Sequence, residues 1–134
     1  MPWDVQVMVD DRPGALAEVA ASAAEAGINL GSVCAVYEGR GAAHLLVDEG
    51  LHAAQVLEAA GHEVIGTREV FLVQIENRPG ALAEVTRRLH DADVGMRSMR
   101  ILHRQAGEAM VAISMDRSDE AMRLIDDLLV NRSS

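Results

Sequence analysis

The chain has 134 residues, 49% of them hydrophobic, and a formal net charge of −9. All 12 basic residues are Arg, which removes the lysine needed for Schiff-base, pyridoxal or phosphate-loop chemistry, and acidity with 2% aromatics gives nucleic acid neither backbone neutralisation nor base stacking. A single cysteine, Cys34, excludes an internal disulfide and a paired-cysteine metal site.

No apolar run approaches the roughly 18–20 residues of a membrane span. The opening MPWDVQVMVDD lacks the basic start and apolar stretch of a signal peptide. A cytoplasmic protein without a membrane partner is therefore expected.

The elements read in chain order. Val5, Val7 and Val9 alternate with Gln6 and Met8, the period of two that marks a half-buried strand. Pro13 suits the first position of a helix, where its missing N–H costs nothing. That helix presents Leu16, Val19, Ala23 and Ala26 to a core and stops at Gly27. Strands follow at 28–37 and 42–48, turned by Gly39-Arg40-Gly41. A helix carrying Ala53, Val56, Leu57 and Ala60 runs to Gly61, and residues 62–67 return as a fourth strand.

The same series then begins again. DRPGALAEV at 11–19 recurs as NRPGALAEV at 77–85, an offset of 66. Ile28, Leu30, Ser32 and Gly41 meet Val94, Met96, Ser98 and Gly107 at that offset, and Ala43, Leu45 and Val47 meet Ala109, Val111 and Ile113. A constant register without a gap indicates a duplicated folding unit, divided at 1–67 and 68–134. Units so small are expected to share buried surface. In the second copy Phe71, Val73 and Ile75 replace the three valines, and Leu82, Val85, Leu89 and Ala92 form the first helical stripe. Strands at 94–104 and 108–115 flank Gln105-Ala106-Gly107, and a last helix buries Ala121, Met122, Ile125 and Leu129. Asn131–Ser134 is too short and polar for a good last strand, so Glu69–Glu76 is left with an open edge that another chain or a rearranged connecting strand should cover.

The order βαββαβ is a ferredoxin-like α+β sandwich with helices on one face of an antiparallel sheet. A first strand ending in Asp/Asn-Arg-Pro-Gly-x-Leu, followed by a helix and by Gly-Ile-Asn-Leu opening the second strand, resembles the ACT domain, a regulatory module that binds amino acids or related metabolites. The likeness covers both halves and is similar to that of stand-alone tandem ACT proteins. It implies two ACT modules paired side by side, no catalytic activity and no cofactor. It further implies an amino acid or related small carboxylate as ligand, a homodimer or higher homo-oligomer, and a regulated protein partner.

The motif locates the ligand chemistry. At the helix starts the N–H groups of Gly14, Ala15 and Leu16, and of Gly80, Ala81 and Leu82, are expected to lack helical partners and so to suit a carboxylate. Pro13 and Pro79 set the turn, Arg12 and Arg78 are candidate contacts to the ligand carboxylate, and Asp11 or Asn77 offers an acceptor to an ammonium. By resemblance to serine-sensing ACT domains, the loop of one module joins the strand-two residue of its neighbour. One composite site then combines Asn77, Arg78, Pro79, Gly80, Ala81 and Leu82 with Asn29. The other combines Asp11, Arg12, Pro13, Gly14, Ala15 and Leu16 with Gly95, and is altered by its fixed charge and missing amide. The serine-binding pattern has a His two residues before the loop Asn; Val9 and Ile75 stand here, so a more apolar ligand is equally compatible.

Other constellations are weaker. His44, His52, His62, His90 and His103 share no metal-ligand spacing. Glu84 is spaced for an i,i+4 pair with Arg88, Asp126-Asp127 opposes a helix dipole, and no nucleophile–base pair is evident. A ligand-free oligomerisation or adaptor module is the alternative reading.

Overall fold

The computed structural model describes residues 2–116 and 118–130. They divide into two compact units, one over Pro2–Glu69 and one starting at Val70. The first contains β1 (Trp3–Val9), α1 (Ala15–Glu25), β2 (Ser32–Glu38), β3 (Arg40–Val47), α2 (Gly50–Ala59) and β4 (Glu63–Glu69). Its antiparallel sheet has the order β2-β3-β1-β4, which a split βαβ unit produces.

The period-two pattern decides which face is covered. Val5, Val7 and Val9 of β1 and Ala43, Leu45 and Val47 of β3 meet Val19 of α1 and Ala53 and Leu57 of α2 in one core. Both helices therefore lie on one side of the sheet. Full burial of each larger aliphatic contributes about 1.5–3 kcal/mol. Helix α1 ends as its sequence suggests: Gly27 adopts φ +73°, and the Ile28 N–H returns to the Ala23 carbonyl at 2.9 Å.

The second unit contains β5 (Phe71–Glu76), α3 (Ala81–Asp91), β6 (Met96–Gln105), β7 (Glu108–Met115) and α4 (Ser118–Leu124). A 3₁₀ turn follows at Asp126–Leu128. The sheet order is β5-β7-β6. Phe71, Val73, Val111 and Ile113 pack on Val85 and Leu89 of α3 and on Ala121 and Ile125. The α+β architecture is thus the one read from the sequence.

Several details differ. The last helix stops at Leu124, so Leu129 lies beyond it in a bridge to Val73, and the Val130 N–H donates to the Leu72 carbonyl at 2.8 Å. The edge of β5 is thus covered in part by this unit's own chain, the rudiment of a fourth strand. Asn131–Ser134, on which the missing-strand expectation rested, lie outside the described residues.

The repeat register also changes within the second unit. Val7 pairs with Ala43, whereas its counterpart Val73 pairs with Val111, so the third strands are related by 68 and not 66. Two residues account for the difference. One is Leu102, which is bulged out where β6 shifts register between Ile101 and His103. The other is in the turn: Ala106 and Gly107, with φ +52° and +78°, span Gln105 and Glu108, where Gly39 alone separates Glu38 from Arg40. The turn glycine equivalent to Gly107 is therefore Gly39, also at φ +78°. Gly41, its match at offset 66, is an interior residue of β3 opposite Tyr37.

Candidate functional site

Each duplicated phrase folds into two turns in succession. The Arg12 N–H bonds to the Asp10 carbonyl at 2.9 Å, closing a three-residue turn around Asp11. The Ala15 N–H then bonds to the Arg12 carbonyl at 3.3 Å, with Pro13 and Gly14 between them. Gly14 has φ +88° and ψ −13°. Proline followed by a glycine at positive φ is a type II turn. The second unit repeats it: Arg78 N–H to Glu76, Ala81 N–H to Arg78, and Gly80 at φ +88° and ψ −16°.

These turns correct two sequence expectations. The helices begin at Ala15 and Ala81, so Pro13 and Pro79 precede them. Ala15 and Ala81 spend their N–H groups within the turn. Among the described residues, the N–H groups of Gly14, Leu16 and Ala17, and of Gly80, Leu82 and Ala83, donate to no protein group. Three donors therefore remain at each helix start, with the positive end of the helix dipole behind them.

Arg12 and Arg78 are held. Arg12 Nη1 and Nη2 donate to the two Glu18 carboxylate oxygens at 3.2 and 2.8 Å. Hydrogen bonding to Arg12, reinforced by its charge, holds the Glu18 carboxyl below its ordinary range. Arg78 Nη2 donates to both oxygens of Glu84 at 2.8 and 3.0 Å, and its Nε donates to Glu76. Glu84 thus serves Arg78 and not Arg88, which pairs with Asp127 at 2.8 Å. That contact also accounts for an acidic residue in the 3₁₀ turn. The loop arginines lie across the helix starts, half exposed and already neutralised.

Beside each loop lies a polar hollow. In the first unit its volume is about 340 Å³, and its charged lining is Asp10, Arg12, Glu18, Arg40, His62 and Glu63. Arg40 bridges Glu63 at 2.8 Å and Asp10 at 3.6 Å. The corresponding hollow of the second unit, about 210 Å³, has Glu108 in place of Arg40. Glu108 stands directly opposite Glu76 on the neighbouring strand, two like charges that Gln74 and Arg78 offset by donating to them. The two loops therefore face different fields despite their shared phrase.

The remaining motif residues lie as follows. Asp11 and Asn77 are exposed, and Asn77 Oδ1 accepts from Arg104 Nε at 3.0 Å, which occupies one of its two acceptor positions. Asn29 is exposed in the segment before β2, three residues ahead of Ser32, and does not open the strand as expected. Gly95 immediately precedes β6; its N–H donates to Asp116 Oδ1 at 2.8 Å. A Cβ on Gly95 would come within 2.6 Å of the other Asp116 oxygen. The place of the missing amide is thus occupied by a carboxylate.

Each helix start, with three donors under a held arginine, forms part of an architecture shared with solved structures. One is protein BT0572 from Bacteroides thetaiotaomicron, at TM-score 0.80 and 23% identity over 96% of this chain and 90% of that one. Two are regulatory subunits of aspartate kinase. That from Thermus thermophilus gives TM-score 0.68 and 19% identity over 95% and 91% of the two chains. That from Thermus flavus gives 0.70 and 16% over 94% and 91%. The fold is of the ACT type. No protein-family model and no curated protein sequence matches the chain.

Among the described residues, no group of three or more His, Cys, Asp or Glu is placed to hold a metal ion, and no helix is long and apolar enough to cross a membrane. Two features escaped the sequence reading. The Arg–Glu clamp spans six positions in both copies, and only a helix start placed after the glycine brings its ends together. The other is the pairing of Cys34 with His44 across β2 and β3. Centring the first hairpin on Gly39 would have signalled it.

Proposed function

We propose that this chain is a non-catalytic regulatory module that binds an amino acid or a related small carboxylate. The observation that carries the reading is the duplicated type II turn, which leaves the N–H groups of Gly14 and Leu16, and of Gly80 and Leu82, without protein acceptors in the described residues. A carboxylate there gains charge-assisted hydrogen bonds and the helix field. The likeness in fold to regulatory subunits of aspartate kinase supports the regulatory part of the reading.

In this reading the main site joins Asn77, Arg78, Pro79, Gly80, Ala81 and Leu82 to Asn29, and the second joins Asp11, Arg12, Pro13, Gly14, Ala15 and Leu16 to Gly95. The Asp116 carboxylate beside Gly95 disfavours a ligand carboxylate at the second pair, so the two differ in affinity. The protein acts in the cytoplasm as a homodimer or higher homo-oligomer, and ligand binding at a module interface tightens it. A hundredfold excess over the dissociation constant adds about 2.7 kcal/mol by linkage.

A thermal-shift screen of the purified chain against the twenty amino acids tests this. The expected result is a shift from one chemical class, lost in Asn29→Ala and in Asn77→Ala but kept in Asp11→Ala. No shift at millimolar ligand sinks the binding reading. The adaptor reading would then stand on β2, an edge strand whose Val33, Val36 and Tyr37 are 44%, 59% and 37% exposed.

A further inference from the structure

We infer that the ligand of the second unit carries two carboxylates, as an acidic amino acid or a dicarboxylic acid does, and that Arg104 binds one of them. The inference rests on the binding proposed at the start of α3 and names the class of ligand held there. Arg104 lies near the end of β6, opposite Ala109 on β7. Ala109 packs in the core with Val85 and Leu89 of α3, so Arg104 shares the helix-covered face of the sheet. Its Nε donates to Asn77 Oδ1 at 3.0 Å. The Asn77 N–H in turn donates to the Gly107 carbonyl at 2.8 Å, which ties the loop to the turn that follows β6.

The groups left over at this point are donors. Among the described residues Arg104 has a protein acceptor only at Nε, so the Nη groups of its planar fork are uncommitted. With Oδ1 turned to the guanidinium, the Asn77 amide presents its Nδ2 hydrogens instead of an acceptor for an ammonium. These join the N–H groups of Gly80, Leu82 and Ala83. Arg12, Arg40, Arg78, Arg88 and Arg97 each pair with a carboxylate, whereas Arg104 meets a neutral amide and keeps its charge uncompensated. An arginine fork takes both oxygens of one carboxylate in bidentate geometry. The helix N–H groups then call for a second.

The first unit lacks this arrangement. Tyr37 stands opposite Gly41, the equivalent of Ala109, and its ring lies so close that a Cβ on Gly41 would come within 2.5 Å of it. Asp11 replaces Asn77, and its fixed negative charge repels a second carboxylate. The site for two carboxylates therefore belongs to the second unit alone.

Calorimetric titration of the full chain with aspartate, glutamate, succinate and glutarate, against asparagine and glutamine, tests this. Each amide matches its acid in shape and lacks only the second charge. We expect one ligand per chain and an acid bound at least about tenfold more tightly than its amide, a preference lost in Arg104→Gln while the affinity for the amide is unchanged. Arg104→Lys, which keeps the charge but not the fork, should fall between them. Acid and amide weakened together in Arg104→Gln would overturn the role of Arg104. A neutral amino acid bound as tightly as the acids would overturn the inference and leave the amino-acid reading standing. No binding by any of the twenty amino acids or by either dicarboxylic acid would overturn both. The comparison of acid with amide on the wild type needs no variant, so it decides the matter even should Arg104→Gln fail to fold.

Discussion

Arg78 and Glu84 face each other across the first turn of α3, with both carboxylate oxygens of Glu84 on Arg78 Nη2 at 2.8 and 3.0 Å. Arg12 and Glu18 repeat the contact on α1. The clamp neutralises the arginine beside the three backbone donors. Glu84→Gln should leave the fold intact and strengthen carboxylate binding at that loop, because Arg78 then keeps only one of its two carboxylate partners, Glu76, and its charge is less neutralised. Calorimetric titration with the ligand found by thermal shift checks this; weaker binding in Glu84→Gln would show that the clamp positions Arg78 for the ligand.

Glu18 gives the pH dependence a sign. Its folded pKa lies below the ordinary value of 4.5, chiefly through the hydrogen bond to Arg12. A depressed carboxyl pKa contributes stability above the unfolded value and loses it as pH falls through the folded one. The Arg12–Glu18 contribution is therefore fully present at neutral pH and fades below about pH 4.5. NMR titration should show the Glu18 carboxyl moving upward in Arg12→Gln, and an unchanged midpoint would remove the clamp from solution.

The turn glycines are needed for backbone reasons. Gly14 sits at φ +88° with nothing within 4 Å of an added Cβ, so space is no obstacle. Gly14→Ala should nevertheless cost about 1–2 kcal/mol through left-handed strain, and Gly80→Ala the same. Gly66 also has open space but lacks a positive φ, so Gly66→Ala in β4 should be neutral or stabilising by up to about 1 kcal/mol. Urea unfolding of the three variants would show the opposite signs.

Asp93 occupies the place of Gly27 at the end of the first helix of its unit, with φ +56°. Its Val94 N–H still returns to Leu89 at 2.9 Å. Asp93→Gly relieves the backbone while keeping the cap, and should stabilise the protein by about 1 kcal/mol. A fall in melting temperature would mean that the Asp93 side chain contributes more than its backbone costs.

Leu129 combines two roles, 8% exposed in the second core and bridged to Val73 on the edge of β5. Leu129→Ala should cost about 2–5 kcal/mol, the usual range for a core leucine. Amide exchange at Val130, whose N–H is held by Leu72, should accelerate with it. Loss of stability without faster exchange would separate packing from edge pairing.

Local rules suffice for much of this protein. Alternation of Val5, Val7 and Val9 marks the strand, and Pro followed by Gly in each repeat marks the turn. The 66-residue echo identified the duplication, because these signals depend on near neighbours along the chain. They do not decide how strands meet. The two-residue slip at Leu102 and Ala106, the capture of β5 by Leu129, the Asp116 carboxylate beside Gly95 and the contact of Arg104 with Asn77 were decided only in the tertiary structure. Pairing register and side-chain reach join residues tens of positions apart, and one bulged residue changes every partner beyond it.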